Sequence, residues 1–348
     1  MNEAPVAAQP AWQPLPPWQR AAAAAALQAR ARWPEALLIG GRRGIGKRIL
    51  ALHFAQALLC ERPNPDGGAC GSCPSCGYVA AGAHPDLRVI EPIEVDDEGN
   101  LTVVNEIMVP RIRELIEFTQ LSSHRQRAKV ALIVPAESMN KAATNALLKT
   151  LEEPPPATYL ILVSHLGSLP ATIISRCRRF AAPEPDAPAA AAWLSAQGVD
   201  DAPQLLAQAG GAPLLALTFA DALVQRERAL LLDLLARPER LDPVKVGARV
   251  DAYEKDTRKA RLTDIVYWLS TWTADLAACS SGGLPRFNPD RREALGRLGR
   301  KVARVKLFRY YGALLRERAL IGHPLQPRLV VEALLFEYLA LFASGGSH

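Results

Sequence analysis

The sequence predicts an α/β core built on a parallel sheet around a phosphate loop, followed by an all-helical second half. Three observations carry that expectation. The apolar run 36–40 breaks into GGRRGIGKR and resumes as an amphipathic segment over 48–59, the strand–loop–helix opening of a parallel sheet. Short apolar runs then alternate with amphipathic segments up to residue 163. From residue 189 onward the pattern is helix after helix.

The loop has one part missing. Gly41, Gly46 and Lys47 meet the pattern GxxxxGK[ST], with Gly44 between them: glycines let backbone N–H groups approach a phosphate, and the lysine adds a point charge. Arg48 stands where the pattern requires Ser or Thr. That hydroxyl normally ligates the Mg²⁺ bridging the β- and γ-phosphates, so a guanidinium there removes a ligand and repels the metal. The strand expected over 129–134 repeats the defect. A working P-loop ATPase ends such a strand in acidic residues that orient Mg²⁺ and polarise water, and here those places hold Val134 and Pro135. Glu137, two residues on, is expected to serve the dipole of the next helix. With two magnesium-handling elements altered, Gly41, Gly44, Gly46 and Lys47 form a degenerate phosphate loop expected to hold ATP weakly or not at all, without intrinsic hydrolysis.

Length and charge exclude more than they assign. A chain of 348 residues has room for two or three domains and a proper core. Net charge is +6 with both signs spread along the chain, which suits nucleic acid or an acidic partner without requiring either. The opening MNEAPVAAQPAWQPLPPW lacks the charged-then-apolar layout of a targeting peptide, and no apolar run approaches the ~18 residues that span a bilayer. A cytoplasmic protein with no membrane contact is expected.

Along the chain, residues 1–17 read as a Pro-rich arm and 18–32 as an alanine-dense helix stopped before Pro34. After the phosphate-loop helix, Cys60, Cys70, Cys73 and Cys76 crowd together among glycines and prolines. Four thiolates at this spacing fit tetrahedral Zn²⁺ in a closed, structural site with no position left for water. A redox pair at Cys73 and Cys76, or ordinary buried cysteines, are the competing readings, and both leave two of the four unexplained. His84 reads as a turn residue. Residues 87–90 form a strand, the acidic run 94–98 with Gly99-Asn100 a solvated hairpin-like excursion, and 109–121 an amphipathic helix. His124, Arg125, Arg127 and Lys129 follow, either a charged helix-to-strand loop or a contact to a phosphate backbone. A helix over 140–153 ends at three prolines, and a buried strand over 158–163 closes at Ser164, a position from which a polar side chain could look toward the phosphate loop. Arg176, Arg178 and Arg179 come after a turn at 167–170 and an apolar run at 171–174.

NALLKTLEEPP at 145–155 and SRC at 175–177, with a Cys₄ insertion behind a P-loop helix, resemble the bacterial clamp-loader subunits of the AAA+ family. The resemblance is strong over the first 180 residues and continues beyond them as a helical pattern. It implies an AAA+ core over 1–182 with a zinc module at 60–76, a small helical lid over 183–222 and an all-α collar over 223–348 through which subunits form a ring. It also implies a place in the DNA polymerase III clamp loader. There the partners are motor (gamma/tau) and delta subunits in a heteropentamer, the sliding clamp and primed DNA.

Motor subunits of that family keep intact nucleotide machinery, and this chain resembles the subunit that lacks it. Leu214 in GGAPLLAL stands where a motor subunit would carry a sensor arginine. Retained Lys47 departs from the pattern and leaves weak nucleotide binding open. The SRC arginine is implied to be an arginine finger, so Arg176 would reach into a neighbour's ATP site and neutralise charge on the γ-phosphate. Arg178 and Arg179 would serve the interface or the fold, and Cys177 would be a packing residue, because no His or Asp constellation accompanies it. Trp268 and Trp272, four apart on one helical face, read as core. Two further readings compete: an active ATPase motor subunit that relies on Lys47, and a zinc-dependent DNA-binding module.

Overall fold

A computed structural model of the chain describes residues 12–95, 101–125, 127–165, 169–320 and 326–343. The chain divides into two compact units, 1–189 and 190–348. In the first unit the order is α1 (Pro17–Gln28), β1 (Ala36–Gly40), α2 (Lys47–Leu59), α3 (Pro74–Ala80), β2 (Leu87–Ile90), β3 (Ile93–Val95), β4 (Leu101–Val103), α4 (Val109–Gln120), β5 (Lys129–Ile133), α5 (Lys141–Glu152), β6 (Thr158–Ser164), α6 (Ala171–Ile174) and β7 (Arg178–Ala181).

Five of these strands form one parallel sheet in the order β2-β5-β6-β1-β7. KVALI and TYLILVS read as near-continuous apolar runs because helices cover both faces of a parallel sheet. Leu38, Ala131, Ile133, Leu160 and Leu162 point to one face and pack with Ile112 and Leu115 of α4 and Leu147 and Leu151 of α5. Phe54 of α2 lies on the other side, edge-on to Trp33 and to Phe180 of β7. β1 sits between β6 and β7, with Gly40 level with Ser164 and Ala181. The chain therefore leaves β1 where strand order reverses, the position at which open α/β sheets form a ligand crevice.

Several boundaries differ from expectation for local reasons. The alanine-rich helix ends at Gln28 and gives way to a 3₁₀ turn at Arg30–Arg32. A helix between the cysteines, α3, starts with Pro74 in its first turn, where a missing N–H costs nothing. β7 is a strand that the sequence does not announce, because Arg178 and Arg179 interrupt its apolar pattern. It pairs with β1, and both arginines are exposed. β3 and β4 pair antiparallel, as the hairpin reading expects, although 96–100 of the acidic run lie outside the described residues. So do 1–11 of the Pro-rich arm and Gly167 of the turn before α6.

The second unit follows a boundary inside α7 (Ala187–Ala196) and contains α8 (Ala202–Gln208), α9 (Pro213–Thr218), α10 (Ala222–Leu235), α11 (Pro243–Asp251), α12 (Lys255–Ser280), α13 (Arg292–Gly299), α14 (Arg304–Leu320) and α15 (Pro327–Ala340). One continuous apolar core runs through it, from Ala190 to Leu341. Trp272 is fully buried at its centre, and its indole N–H donates to the Tyr338 hydroxyl (3.0 Å), which donates to Leu235 O (2.8 Å). Buried Asp275 accepts from the backbone N–H groups of Arg286 (2.7 Å), Phe287 and Asn288 (2.7 Å), pinning the loop after α12 back onto that helix.

Candidate functional site

The phosphate loop lies where the sequence places it, and its lysine is turned inward. Gly46 caps α2 in a left-handed conformation (φ +97°), and an added Cβ would come within 3.1 Å of the Gln19 side chain and 3.2 Å of Pro16. Lys47 is 3 % exposed, and its ammonium donates to Gly41 O at 2.7 Å and Arg42 O at 2.5 Å. Two of its three N–H groups are thus spent on the loop itself. The N-terminal end of α1 lies against the same turn: Trp18 Nε1 and Gln19 Nε2 both donate to Ile45 O, at 3.0 and 2.8 Å. Arg48, in place of the metal-holding hydroxyl, forms a two-pronged pair with Glu91 just beyond β2, at 2.8 and 3.0 Å. Arg42 pairs with Glu184 at 2.8 Å.

Glu137 lies in the first turn of a 3₁₀ helix, Ala136–Ser138, ahead of α5, whose own start Asn140 caps by accepting from Ala143 N at 2.8 Å. Its Oε1 also accepts from His165 N, just past β6, at 2.8 Å, and Oε2 is buried without a partner. Burial lowers the Lys47 ammonium to about 8, and the Glu137 charge opposes that shift. His165 is lowered to about 4, by burial first and then by the Lys47 charge. Ser164, buried at the end of β6, lies beside Gly40 across the strand pair.

Cys60, Cys70, Cys73 and Cys76 come together, with all four sulfurs within 4.8 Å of one another. The Cys60–Cys73 sulfur separation is 3.9 Å. A tetrahedral centre with bonds of about 2.3 Å has sulfur–sulfur edges of roughly 3.8 Å, so the four can hold a metal ion. Backbone N–H groups of Cys70, Cys73 and Cys76 point at the sulfurs of Cys60, Cys70 and Cys73, at 3.3, 3.3 and 3.5 Å, an arrangement that favours thiolates. Gly67, in the loop between the first two cysteines, has φ +82°, and an added Cβ would stand 2.2 Å from Leu27 O at the end of α1. His84 is the turn residue expected, its Nδ1 accepting from Asp86 N at 3.0 Å.

The basic cluster after α4 is occupied in tying this module to the core. Arg125 pairs with Glu61 at 3.0 Å and lies over the Tyr78 ring, Arg127 donates to Cys60 O, and Lys129 donates to Phe118 O. The buried Asp86 carboxylate gathers the loop by accepting from His124 N (2.8 Å), Arg125 N (3.0 Å) and the Ser123 hydroxyl. Of the two readings of this cluster, the structural one is thus occupied by specific partners. Arg176 follows α6 at the surface, where its guanidinium pairs with Glu152 of α5 and donates to Thr172 O at 2.8 Å. Cys177 is partly buried beside the core shared by α4, α5 and the sheet, and burial pushes its thiol up to about 11. A motif search cannot find Trp18, Gln19, Glu91 or His165, since each acts through a long-range fold contact, and although Glu152 lies inside NALLKTLEEPP its pairing with Arg176 is not legible there. The only local signal is the run of prolines that ends in Trp18-Gln19.

Residues 21–185 match the family model described as DNA polymerase III, delta subunit. The chain is 35 % identical over 341 residues to a DNA polymerase III subunit delta' of Pseudomonas aeruginosa, covering 94 % of this chain and 98 % of that protein. It is 35 % identical over 193 residues to the subunit delta' of Escherichia coli, covering 54 % and 55 % of the two chains. The subunit tau of Escherichia coli matches at 36 % over 146 residues, which is 42 % of this chain and 21 % of that protein.

Lys47 makes stability depend on pH in a defined direction. Its charged form is penalised in the fold, so the unfolded chain binds more protons between pH 8 and the unfolded lysine value of 10.5. Stability of the native chain relative to a Lys47→Met variant should therefore rise as pH goes from 8 to 10.5, as read from urea unfolding at each pH. A difference independent of pH would contradict the buried charge.

Proposed function

The chain belongs to the family of DNA polymerase III delta' subunits, and we propose that it is a clamp-loader subunit that lends an arginine to a neighbour and runs no ATPase cycle of its own. The observation that supports this most directly is the inward-turned Lys47, bonded to Gly41 O and Arg42 O. A phosphate entering the loop would have to displace those bonds, with Arg48 engaged by Glu91 and no acidic side chain at Val134 or Pro135 to hold magnesium. Gly41, Gly44, Gly46 and Lys47 then serve as a rigid strand-to-helix turn that binds nucleotide weakly or not at all.

Arg176 is the residue we assign to the neighbour's ATP site. Its resting partner, Glu152, is about half exposed, and a surface ion pair of this kind is worth only about 0–1 kcal/mol. Exchanging that carboxylate for a γ-phosphate in a dry interface costs little and gains a charge-assisted contact. We assign the four-cysteine cluster to structural Zn²⁺, since a closed all-thiolate set suits that ion and leaves no catalytic position. In the same reading 183–222 act as the lid and 223–348 as the collar of a heteropentamer with motor (gamma/tau) and delta subunits. That assembly places the sliding clamp on primed DNA in the cytoplasm.

Two experiments test these assignments. In a reconstituted loader, Arg176→Ala should lower DNA- and clamp-stimulated ATP turnover while leaving assembly intact, the ceiling at one site being the roughly 10³–10⁵ that an arginine finger contributes. Unchanged turnover would reduce the chain to a scaffold. Purified protein should carry one zinc per chain by atomic absorption, and Cys73→Ser should lose it and make the 60–80 region protease-sensitive. A metal-free, fully protected native protein would remove the zinc assignment.

A further inference from the structure

The positive charge of the chain is concentrated in one stretch that the reading above does not use. Residues 291–317 hold nine Lys and Arg against two Glu, a local charge of +7, whereas the chain as a whole carries +6, so everything outside the stretch sums to −1. The stretch forms α13, a tight turn and most of α14, and the fold fixes its backbone. Gly299 closes α13 against the end of α12, where an added Cβ would stand 2.9 Å from Ser280 N. Leu307, Tyr310 and Leu314 bury one face of α14, with the Tyr310 hydroxyl donating to Leu334 O of α15 at 3.0 Å.

The opposite face of α14 has a pattern of its own. Val305, Arg309, Gly312 and Arg316 follow at i, i+4, i+7 and i+11, which sets them in one row about 16 Å long, and Phe308 and Leu315 form a second row beside it. Phe308 is 67 % exposed and Val305 62 %. The Arg316 guanidinium lies beside Gly312, 3.7 Å from where a Cβ would stand. Arg300 and Lys301 are exposed in the turn just ahead of the helix. Among the described residues, the side chains of Arg300, Lys301, Arg309 and Arg316 enter no ion pair or hydrogen bond. Arg125, Arg127 and Lys129 after α4, by contrast, are spent inside the fold.

Four unpaired cations around an open aromatic ring fit a regularly charged polyanion with flat, unstacked groups. An anionic bilayer fits less well, because a basic helix lying on a membrane needs a free apolar face, and that face of α14 is buried in the core. A protein partner would have to bring an acidic group to each cation, whereas every nucleotide carries its own charge. We propose that this face of α14, with the turn ahead of it, binds single-stranded DNA: Arg300, Lys301, Arg309 and Arg316 meet phosphates, and Phe308 stacks on a base. The choice of DNA rests on the clamp-loader reading, in which the chain works beside a primed template. Charge and ring contacts are alike for every base, so the surface reads no sequence.

Fluorescence anisotropy of the isolated full-length chain with a labelled oligo-dT of about 20 nucleotides, at salt from about 50 mM upward, tests this. The expected result is saturable binding whose log–log salt slope is about −3, the value for four phosphate contacts on a single strand. Replacing both Arg309→Ala and Arg316→Ala should weaken binding and cut that slope by about half. Phe308→Ala should weaken oligo-dT about tenfold and leave an abasic oligonucleotide of the same length unchanged. All three side chains are exposed, and circular dichroism checks that each variant is folded. Absence of saturable binding at low salt, or binding that neither folded variant weakens, would overturn the proposal. Polyglutamate or a duplex of equal length binding as tightly as oligo-dT would overturn it too, the first by assigning the face to an acidic protein segment. Failure here with normal loader turnover sinks this surface alone. Oligo-dT binding that persists while the Arg176→Ala loader test fails would sink the arginine-donor reading and leave the surface.

Discussion

The ammonium of Lys47 is the constraint on which the phosphate-loop end of the first unit depends. It is buried at the start of α2, donates to two carbonyls of its own loop, and stands near Glu137 and His165 from the ends of the two central strands. A buried cation must find acceptors, and this loop supplies them by folding its carbonyls inward. The turn therefore keeps the shape of a phosphate loop while consuming the donor that a phosphate would use. Trp18 and Gln19 bond Ile45 O from outside, and Arg48 with Glu91 ties the first turn of α2 to the far edge strand. Each ion pair is modest, but together with the lysine's own bonds they occupy two of the three Lys47 N–H groups and the Arg48 guanidinium.

Sheet topology spreads the remaining functional elements around that turn. β1 lies between β6 and β7, so the segment carrying Arg176 is held by α6 on one side and by an edge strand on the other. A residue proposed to act across an interface gains from that placement, since its backbone is fixed while its side chain stays at the surface. The cysteine module grows from the C-terminal end of α2 and is fastened by Glu61, Arg125, Arg127 and the Asp86-gathered loop. Such fastening suits a structural metal centre. Its neighbours are scaffold contacts, Glu61 being held by Ser75 and Arg125 beside the four sulfurs.

Much of this was legible in the sequence. β1 runs over the residues its apolar pattern marks, the four cysteines converge, and Trp272 is core because apolar periodicity and burial are the same physics seen twice. Trp268 is core as well, although its unpaired N–H depends on tertiary packing, which periodicity does not encode. β7 was hidden because an edge strand tolerates exposed arginines that a central strand would not. Glu137 stands in the first turn of a 3₁₀ helix, as its spacing suggests, but its long-range hydrogen bond from His165 N is not encoded in that spacing. The basic run after α4 likewise could not be resolved by composition, because its partners Glu61 and Asp86 are distant in the chain.

The central claim is that the phosphate loop is closed by its own lysine. Equilibrium dialysis of the isolated full-length chain against magnesium ADP and a non-hydrolysable ATP analogue tests it most directly. The account predicts no saturable binding in the micromolar range, for the native chain and for Lys47→Ala alike. Stoichiometric micromolar binding that disappears in Lys47→Ala would contradict it, because the lysine would then be free to meet a phosphate.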